Sequence, residues 1–247
     1  MEAKSTYQLK AFQTVDDLNQ SAAKLIIEIA NKAIAERGKF SISLSGGQTP
    51  MELYSLLAQT PFCEELPWKN TSVFWCDERC VPETDVKNNA HQAKSVLLDK
   101  VNIPISNIHS VQVNLSPAAA AIEYEKEIRN YFREEPICFD LILLGVGENG
   151  HTASLFHGTK VIDEHAEGVR EVYIEDENMS RITMTAALIN RAHNILFLVT
   201  GKKKAEIMQA IFSASALPDK YPAQLIKPSN GELFWFVDQA AAALISK

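Results

Sequence analysis

The stretch from Phe139 to Gly158, FDLILLGVGENGHTASLFHG, constrains the fold more than any other. A solid apolar run, Leu141 to Leu144, empties into Gly145, Gly147 and Gly150, and His151, Thr152 and Ser154 follow at once. Such a run is too short for a membrane and is bounded by glycines, which suits a central strand of a parallel sheet. Ligands of open α/β sheets gather at the carboxyl ends of such strands. A buried strand that ends in a flexible polar turn with a titratable side chain therefore predicts an architecture and a site together.

The remainder of the chain repeats that grammar. Tyr7 to Phe12 alternates as an opening strand. Thr14, with Asp17 three residues on, starts a long amphipathic helix that keeps helical spacing to Arg37-Gly38. Phe40 to Leu44 is a short strand that runs into Ser45-Gly46-Gly47-Gln48-Thr49-Pro50, and Met51 to Leu57 reads as helix with Thr49 as its cap and Pro50 at its first position. The two glycines let the backbone approach a ligand, and the free N–H groups of the following helix suit a phosphate. Thr71 to Cys76 reads as a third strand that delivers Asp77, Glu78 and Arg79 at its carboxyl end. After a loop, His91 to Val101 predicts a short helix, His109 to Val113 a strand, and Ser116-Pro117 caps a helix that continues to Phe132. Glu171 to Ile174 and Arg181 to Thr185 are further strands and Ala186 to Ala192 a short helix. Asn194 to Thr200 is an apolar strand that hands over to Gly201-Lys202-Lys203-Lys204 and a helix to about Phe212. Leu233 to Val237 is a last strand, and Asp238 caps a closing helix, Gln239 to Ile245. With no repeat, low-complexity tract or linker, residues 1–247 are expected to form one α/β domain.

A formal charge of −7 argues against a general nucleic-acid partner, which normally needs a basic face. No apolar run approaches the roughly 20 residues that span a bilayer, and the opening MEAKSTYQLK lacks the apolar core of a signal peptide, so a cytoplasmic location is expected. Cys63, Cys76, Cys80 and Cys138 show no Cys-x-x-Cys spacing and read as buried free thiols. The six histidines form no zinc-hydrolase pattern, and no metal is implied.

Gly145-Val146-Gly147-Glu148-Asn149-Gly150 satisfies the G-x-G-x-x-G pattern of dinucleotide sites. However, it sits mid-chain, His151 follows the third glycine at once, and only Glu171 or Glu175 offers itself as the acidic ribose partner. Three strand ends taken together give a better account: an anion-suited glycine turn at 45 to 49, a charged end at 77 to 79, and the His151 turn. Their convergence would supply a phosphate cradle, cationic clamps and a general base titrating near neutrality. That chemistry suits reaction at the carbon skeleton of a small phosphorylated molecule.

GVGENGHTASLFHG resembles the signature of the 6-phosphogluconolactonases, G-x-G-x-D-G-H-T-A-S-L-F-P. Other blocks of that family occur in order: LSGGQTP at 44 to 50, WCDERCVP at 75 to 82, RITMT at 181 to 185 and VTGKKKA at 199 to 205. The resemblance covers nearly the whole chain. It implies a modified Rossmann-like three-layer α/β sandwich with a mainly parallel central sheet, as in glucosamine-6-phosphate deaminase and ribose-5-phosphate isomerase. It also implies cofactor-free hydrolysis of 6-phospho-D-glucono-1,5-lactone to 6-phosphogluconate in the oxidative pentose phosphate pathway.

Residue by residue, the resemblance makes His151 the base that activates water, with Asn149 beside it. Arg79 and Lys204 would hold the phosphate, joined by Ser45 and the backbone of Gly46, Gly47 and Gln48, and Arg181 would add a positive contact. Asp77 and Glu78 would orient Arg79 and line the pocket. The implied partner is a phosphorylated sugar lactone, with neither nucleic acid nor membrane, and the chain would be a monomer or small homo-oligomer. Asn149 departs from the family's more frequent Asp, removing a charge that could support the histidine's basicity, and His157 replaces the usual proline after Phe156. Two alternatives share the fold. A glucosamine-6-phosphate deaminase reads G-H-x-A-F-N-E-P and D-E-Y where this chain has SLF and Arg79. A non-catalytic sugar-phosphate sensor usually carries an attached DNA-binding region.

Overall fold

A computed structural model describes residues 7–133, 136–213 and 216–245; the first six residues of the opening segment lie outside the described residues. The strands are β1 (Tyr7–Phe12), β2 (Phe40–Leu44), β3 (Thr71–Trp75), β4 (Asp77–Arg79), β5 (Leu141–Leu144), β6 (Val169–Ile174), β7 (Met179–Met184), β8 (Asn194–Val199) and β9 (Glu232–Asp238). The α-helices are α1 (Val15–Arg37), α2 (Gln48–Leu57), α3 (Phe62–Glu65), α4 (Asn89–Val96), α5 (Pro117–Phe132), α6 (Ala186–Ile189), α7 (Ala205–Ile211) and α8 (Gln239–Ala242).

Six strands form a wholly parallel sheet in the order β1-β9-β8-β5-β2-β3. The chain leaves β2 outward to β3, then returns to build β5, β8 and β9 on the other side of β2. The winding therefore reverses between β2 and β5, and the carboxyl ends of those two strands flank the crevice where ligands of such sheets bind. Strand alternation makes the sheet two-faced. Leu141 and Leu143 pack with α1–α4, whereas Ile142 and Leu144 pack with α5–α8, so two apolar layers enclose the sheet. This is the Rossmann-like sandwich expected from the sequence. Among the described residues no helix is long and apolar enough to cross a membrane.

Local chemistry explains most boundaries. The Thr14 hydroxyl accepts the N–H of Asp17, and Gly38 closes α1 in the left-handed conformation at φ 73°. Ser116 caps α5, and Asp238 caps α8. Some sequence expectations need correction. Helix α2 begins at Gln48 with Gly47 as its cap, at φ 108° and with no side-chain hydrogen bond. The Thr49 hydroxyl instead meets that of Thr200 at 2.7 Å, and Pro50 sits third in the helix, still within the turn that needs no N–H. The segment His109 to Val113 is not a strand. One bridge joins Ile108 to Val73, after which the His109 ring stacks on Phe74 and bonds Glu127, and Val113 N–H turns back to the Val111 carbonyl. Of the four free cysteines, Cys76 is buried and the others are half-buried.

The larger departure concerns Asp77–Arg79. These residues do not extend β3. The chain turns at Cys76 and enters a second, antiparallel sheet in the order β4-β7-β6. Its register sets Arg79 opposite Arg181 and Asp77 opposite Thr183.

Candidate active site

Two tyrosines, one from each helix layer, hold the strand ends that lead into the site. The Tyr54 hydroxyl of α2 accepts from the Ser45 N–H (3.1 Å) and donates to the Ser45 carbonyl (3.0 Å). The Tyr124 hydroxyl of α5 does the same for Trp75, at 2.7 and 3.0 Å. Each satisfies the polar groups of a residue at which its strand gives way to a turn. Beyond Ser45, no side chain caps α2, so its first-turn N–H groups face the cavity. Gly46 cannot carry a side chain, because a Cβ there would lie 1.9 Å from Asn89 Oδ1.

The cavity has a volume of about 690 Å³, ample for a small phosphosugar. It gathers Ser45, Gly46, Gly47 and Gln48 from the end of β2, His151 from the end of β5, and Lys202–Lys204 from the end of β8. The second sheet contributes Asp77, Arg79 and Arg181. Of the residues the resemblance assigns to the site, two lie elsewhere. Glu78 does not line the cavity; it is 1% exposed, and its carboxylate accepts the backbone N–H groups of Arg79, Asn89 and Ala90. Asn149 stands behind His151, on the wall of a neighbouring cavity. His157 also faces that second cavity, where its Nδ1 donates to the Asp219 carbonyl.

The His151 turn is tightly determined. Gly147 N–H donates to the His151 carbonyl (2.8 Å), and a Cβ on Gly147 would meet the imidazole at 2.1 Å. Asn149 Oδ1 accepts from the His151 backbone N–H at 3.2 Å and contacts Nδ1 at 2.5 Å. Because that oxygen can only accept, Nδ1 carries the proton and Nε2 keeps the lone pair. The ring stacks on Phe156 with centroids 4.0 Å apart. Burial, followed by the charge of Arg181, pushes the imidazole pKa down to about 4, against the pull of Asp77; Lys204 adds to the lowering. His151 is therefore neutral at pH 7.

The cations differ in how well they are compensated. Arg181, 6% exposed, faces Asp77 at 3.7 Å, bonds Glu177, and rests against the Phe156 ring. Arg79 donates to a neutral acceptor, the Lys87 carbonyl (2.7 Å), and feels the Glu177 carboxylate only at longer range; among the described residues the buried Nε atoms of both arginines lack a hydrogen-bond partner. Arg79 and Arg181 stand directly opposite on adjacent strands, a like-charge pairing whose repulsion the Asp77 and Glu177 carboxylates on Arg181 reduce. Burial lowers the Lys204 pKa, which Glu148 partly offsets. Asp77 is already engaged: Ser154 Oγ donates to its Oδ2 at 2.6 Å, and Asn89 Nδ2 to its carbonyl at 2.9 Å.

Sequence reasoning missed Tyr54, Asn89, Ser154, Phe156 and Glu177. Ser154 and Phe156 sit inside the ASLF block and could have been read from it, but the others are joined to the site only by tertiary packing. Among the described residues no group of three or more His, Cys, Asp or Glu side chains converges so as to hold a metal ion.

Comparison with known proteins gives a consistent result. Residues 13–235 match the family described as glucosamine-6-phosphate isomerases/6-phosphogluconolactonase. A 6-phosphogluconolactonase of Synechocystis sp. is 43% identical over 215 residues, covering 85% of this chain and 86% of the relative. One from Haemophilus influenzae is 38% identical, covering 83% and 87%. The crystal structure of devB protein superposes with a TM-score of 0.89 at 34% identity, covering 98% of this chain and all of that one. A monomeric glucosamine-6-phosphate deaminase shares the fold, with a TM-score of 0.81 at 21% identity over 96% of this chain and 99% of that one.

Proposed function

The chain belongs to the glucosamine-6-phosphate isomerase/6-phosphogluconolactonase family, and on that premise we propose that it hydrolyses 6-phospho-D-glucono-1,5-lactone to 6-phosphogluconate. The observation that carries this reading is a neutral His151, its Nδ1–H fixed by Asn149, in a cavity walled by Arg79, Arg181, Lys204 and the Gly46–Gln48 turn. The phosphate binds Arg79, Lys204 and the first-turn N–H groups of α2, and this remote anchor fixes the ring so that water and carbonyl meet in a near-attack geometry.

His151 Nε2 then takes a proton from water as its oxygen bonds to the lactone carbonyl carbon. The acyl C–O bond of the tetrahedral intermediate breaks, and the proton passes to the departing ring oxygen, giving hydroxyl and carboxylic acid. A base of pKa about 4 is weak, but the arriving phosphate offsets the Arg181 and Lys204 charges that depress it. Asp77 is poorly placed for the proton abstraction a deaminase needs, since Ser154, Arg181 and Asn89 occupy it. The reaction requires no cofactor and belongs to the oxidative pentose phosphate pathway in the cytoplasm.

The test generates the lactone in situ and compares its loss with the spontaneous rate, beside an ammonia assay on glucosamine 6-phosphate. Faster lactone loss without ammonia is expected. Ammonia release would support the deaminase, and binding without turnover of either compound a sensor.

A further inference from the structure

We infer that Glu78 is a positioning residue, which acts through Asn89 and the backbone of residues 79–90 to hold Arg79 and the Gly46 turn where the substrate phosphate docks. The inference rests on the lactonase reading of the same cavity. Glu78 Oε1 accepts the N–H groups of Arg79 (2.8 Å) and Asn89 (2.7 Å), and Oε2 accepts that of Ala90 (2.8 Å). One carboxylate thus ties together the two ends of the loop between β4 and α4. That loop contains the Lys87 carbonyl on which the Arg79 guanidinium is anchored.

Asn89 carries the connection to the other side of the cavity. Its Nδ2 donates to the Asp77 carbonyl, while its buried Oδ1 has no hydrogen-bond partner among the described residues and lies against Gly46. The order Glu78, Asn89, Gly46 links the cationic strand to the glycine turn through side chains that do not themselves line the cavity.

The link is tightest with an ionised carboxylate, because three N–H donors share its two oxygens and protonation makes one oxygen a weaker acceptor that must also place an O–H. The groups facing Glu78 are Asp77 and Cys80 on its own segment and Tyr124 from α5. Burial raises the Glu78 pKa to about 7 from an ordinary 4.5, with Asp77 adding to the rise, against the lowering effect of the three N–H bonds. Since the folded pKa is the higher, ionisation costs stability as pH rises from the ordinary value through about 7. Glu78→Gln removes the charge, and its amide NH₂ sets a donor against one of the three buried N–H groups.

Titration calorimetry with 6-phosphogluconate from about pH 5.5 to 8.5 tests the inference, with kcat and KM measured alongside. In the wild type, affinity should weaken as pH falls through 7, beyond the loss due to the ligand phosphate's own second ionisation near about pH 6. Glu78→Gln should raise Kd and KM roughly tenfold at the alkaline end, leave kcat within about threefold, and retain only the phosphate's titration. Asn89→Ala, which keeps the carboxylate but cuts its connection to Gly46, should raise KM by a similar factor; it decides the matter if Glu78→Gln does not fold. Wild-type Kd and pH dependence in Glu78→Gln, or wild-type KM in Asn89→Ala, would overturn the inference and leave the lactonase reading standing. A wild-type protein that does not bind 6-phosphogluconate would remove both.

Discussion

The two ends of the parallel sheet treat their polar groups in opposite ways. At the amino ends of β2 and β5, Asp140 accepts from the Ser41 N–H (2.7 Å), the Ser41 hydroxyl (2.8 Å) and Arg37 (2.6 Å). The buried carboxylate is fully engaged and joins neighbouring strands. At the carboxyl ends, two tyrosines satisfy the backbone of Ser45 and Trp75, but glycines replace side chains, α2 starts without a capping side chain, and Arg79, which lines the cavity, bonds a neutral carbonyl rather than a carboxylate. Satisfied polar groups stabilise a fold, whereas groups left partly unsatisfied are available to a ligand.

Substitutions at the two ends should therefore fail differently. Asp140→Ala should have the largest effect, lowering stability by about 3 kcal/mol in chemical denaturation because it strands buried Ser41 donors and frees Arg37. The folded fraction should keep its KM, and a changed KM would break the distinction. Arg79→Ala or Lys204→Ala should raise KM by roughly ten- to a hundredfold, the value of a charge-assisted contact, with stability little changed. Asn149→Asp should have a smaller and purely titrational effect. A carboxylate at Nδ1 favours the imidazolium, so the acid limb of kcat/KM assigned to His151 should move up by about one pH unit. Smallest of all, Glu171→Gln, in the cavity that Glu148 and Asn149 share on the far side of the turn, should leave kcat/KM within about twofold.

The sheet end was legible from the sequence to the extent that local chemistry specifies it. The LILL run, the glycines after it and the Ser45–Gln48 turn are short-range signals, and all lie where the strand pattern puts them. The meeting of Arg79 with Arg181 was not legible, because the register of β4 on β7 joins residues about a hundred positions apart through a sheet that three-residue β4 does not announce. Asp77–Arg79 reads as a strand end because Cys76, where the chain changes sheets, is apolar and buried like the strand before it. Asn89 gives no sign of its role, since what singles it out is the missing Cβ of Gly46, a residue that meets it only in the folded chain. Glu78 looked like a pocket residue because its neighbours on both sides are, yet alternation along β4 turns it away from the cavity.

The central claim is that His151, held neutral and aimed by Asn149 and the glycine turn, is the base, and that the phosphate is held by other strand ends. His151→Ala tests this most directly, with lactone hydrolysis above the spontaneous rate and 6-phosphogluconate affinity measured on the same preparation. Loss of kcat by about a thousandfold with Kd unchanged within about threefold is predicted. Turnover close to wild type in a variant that binds the product normally would contradict it.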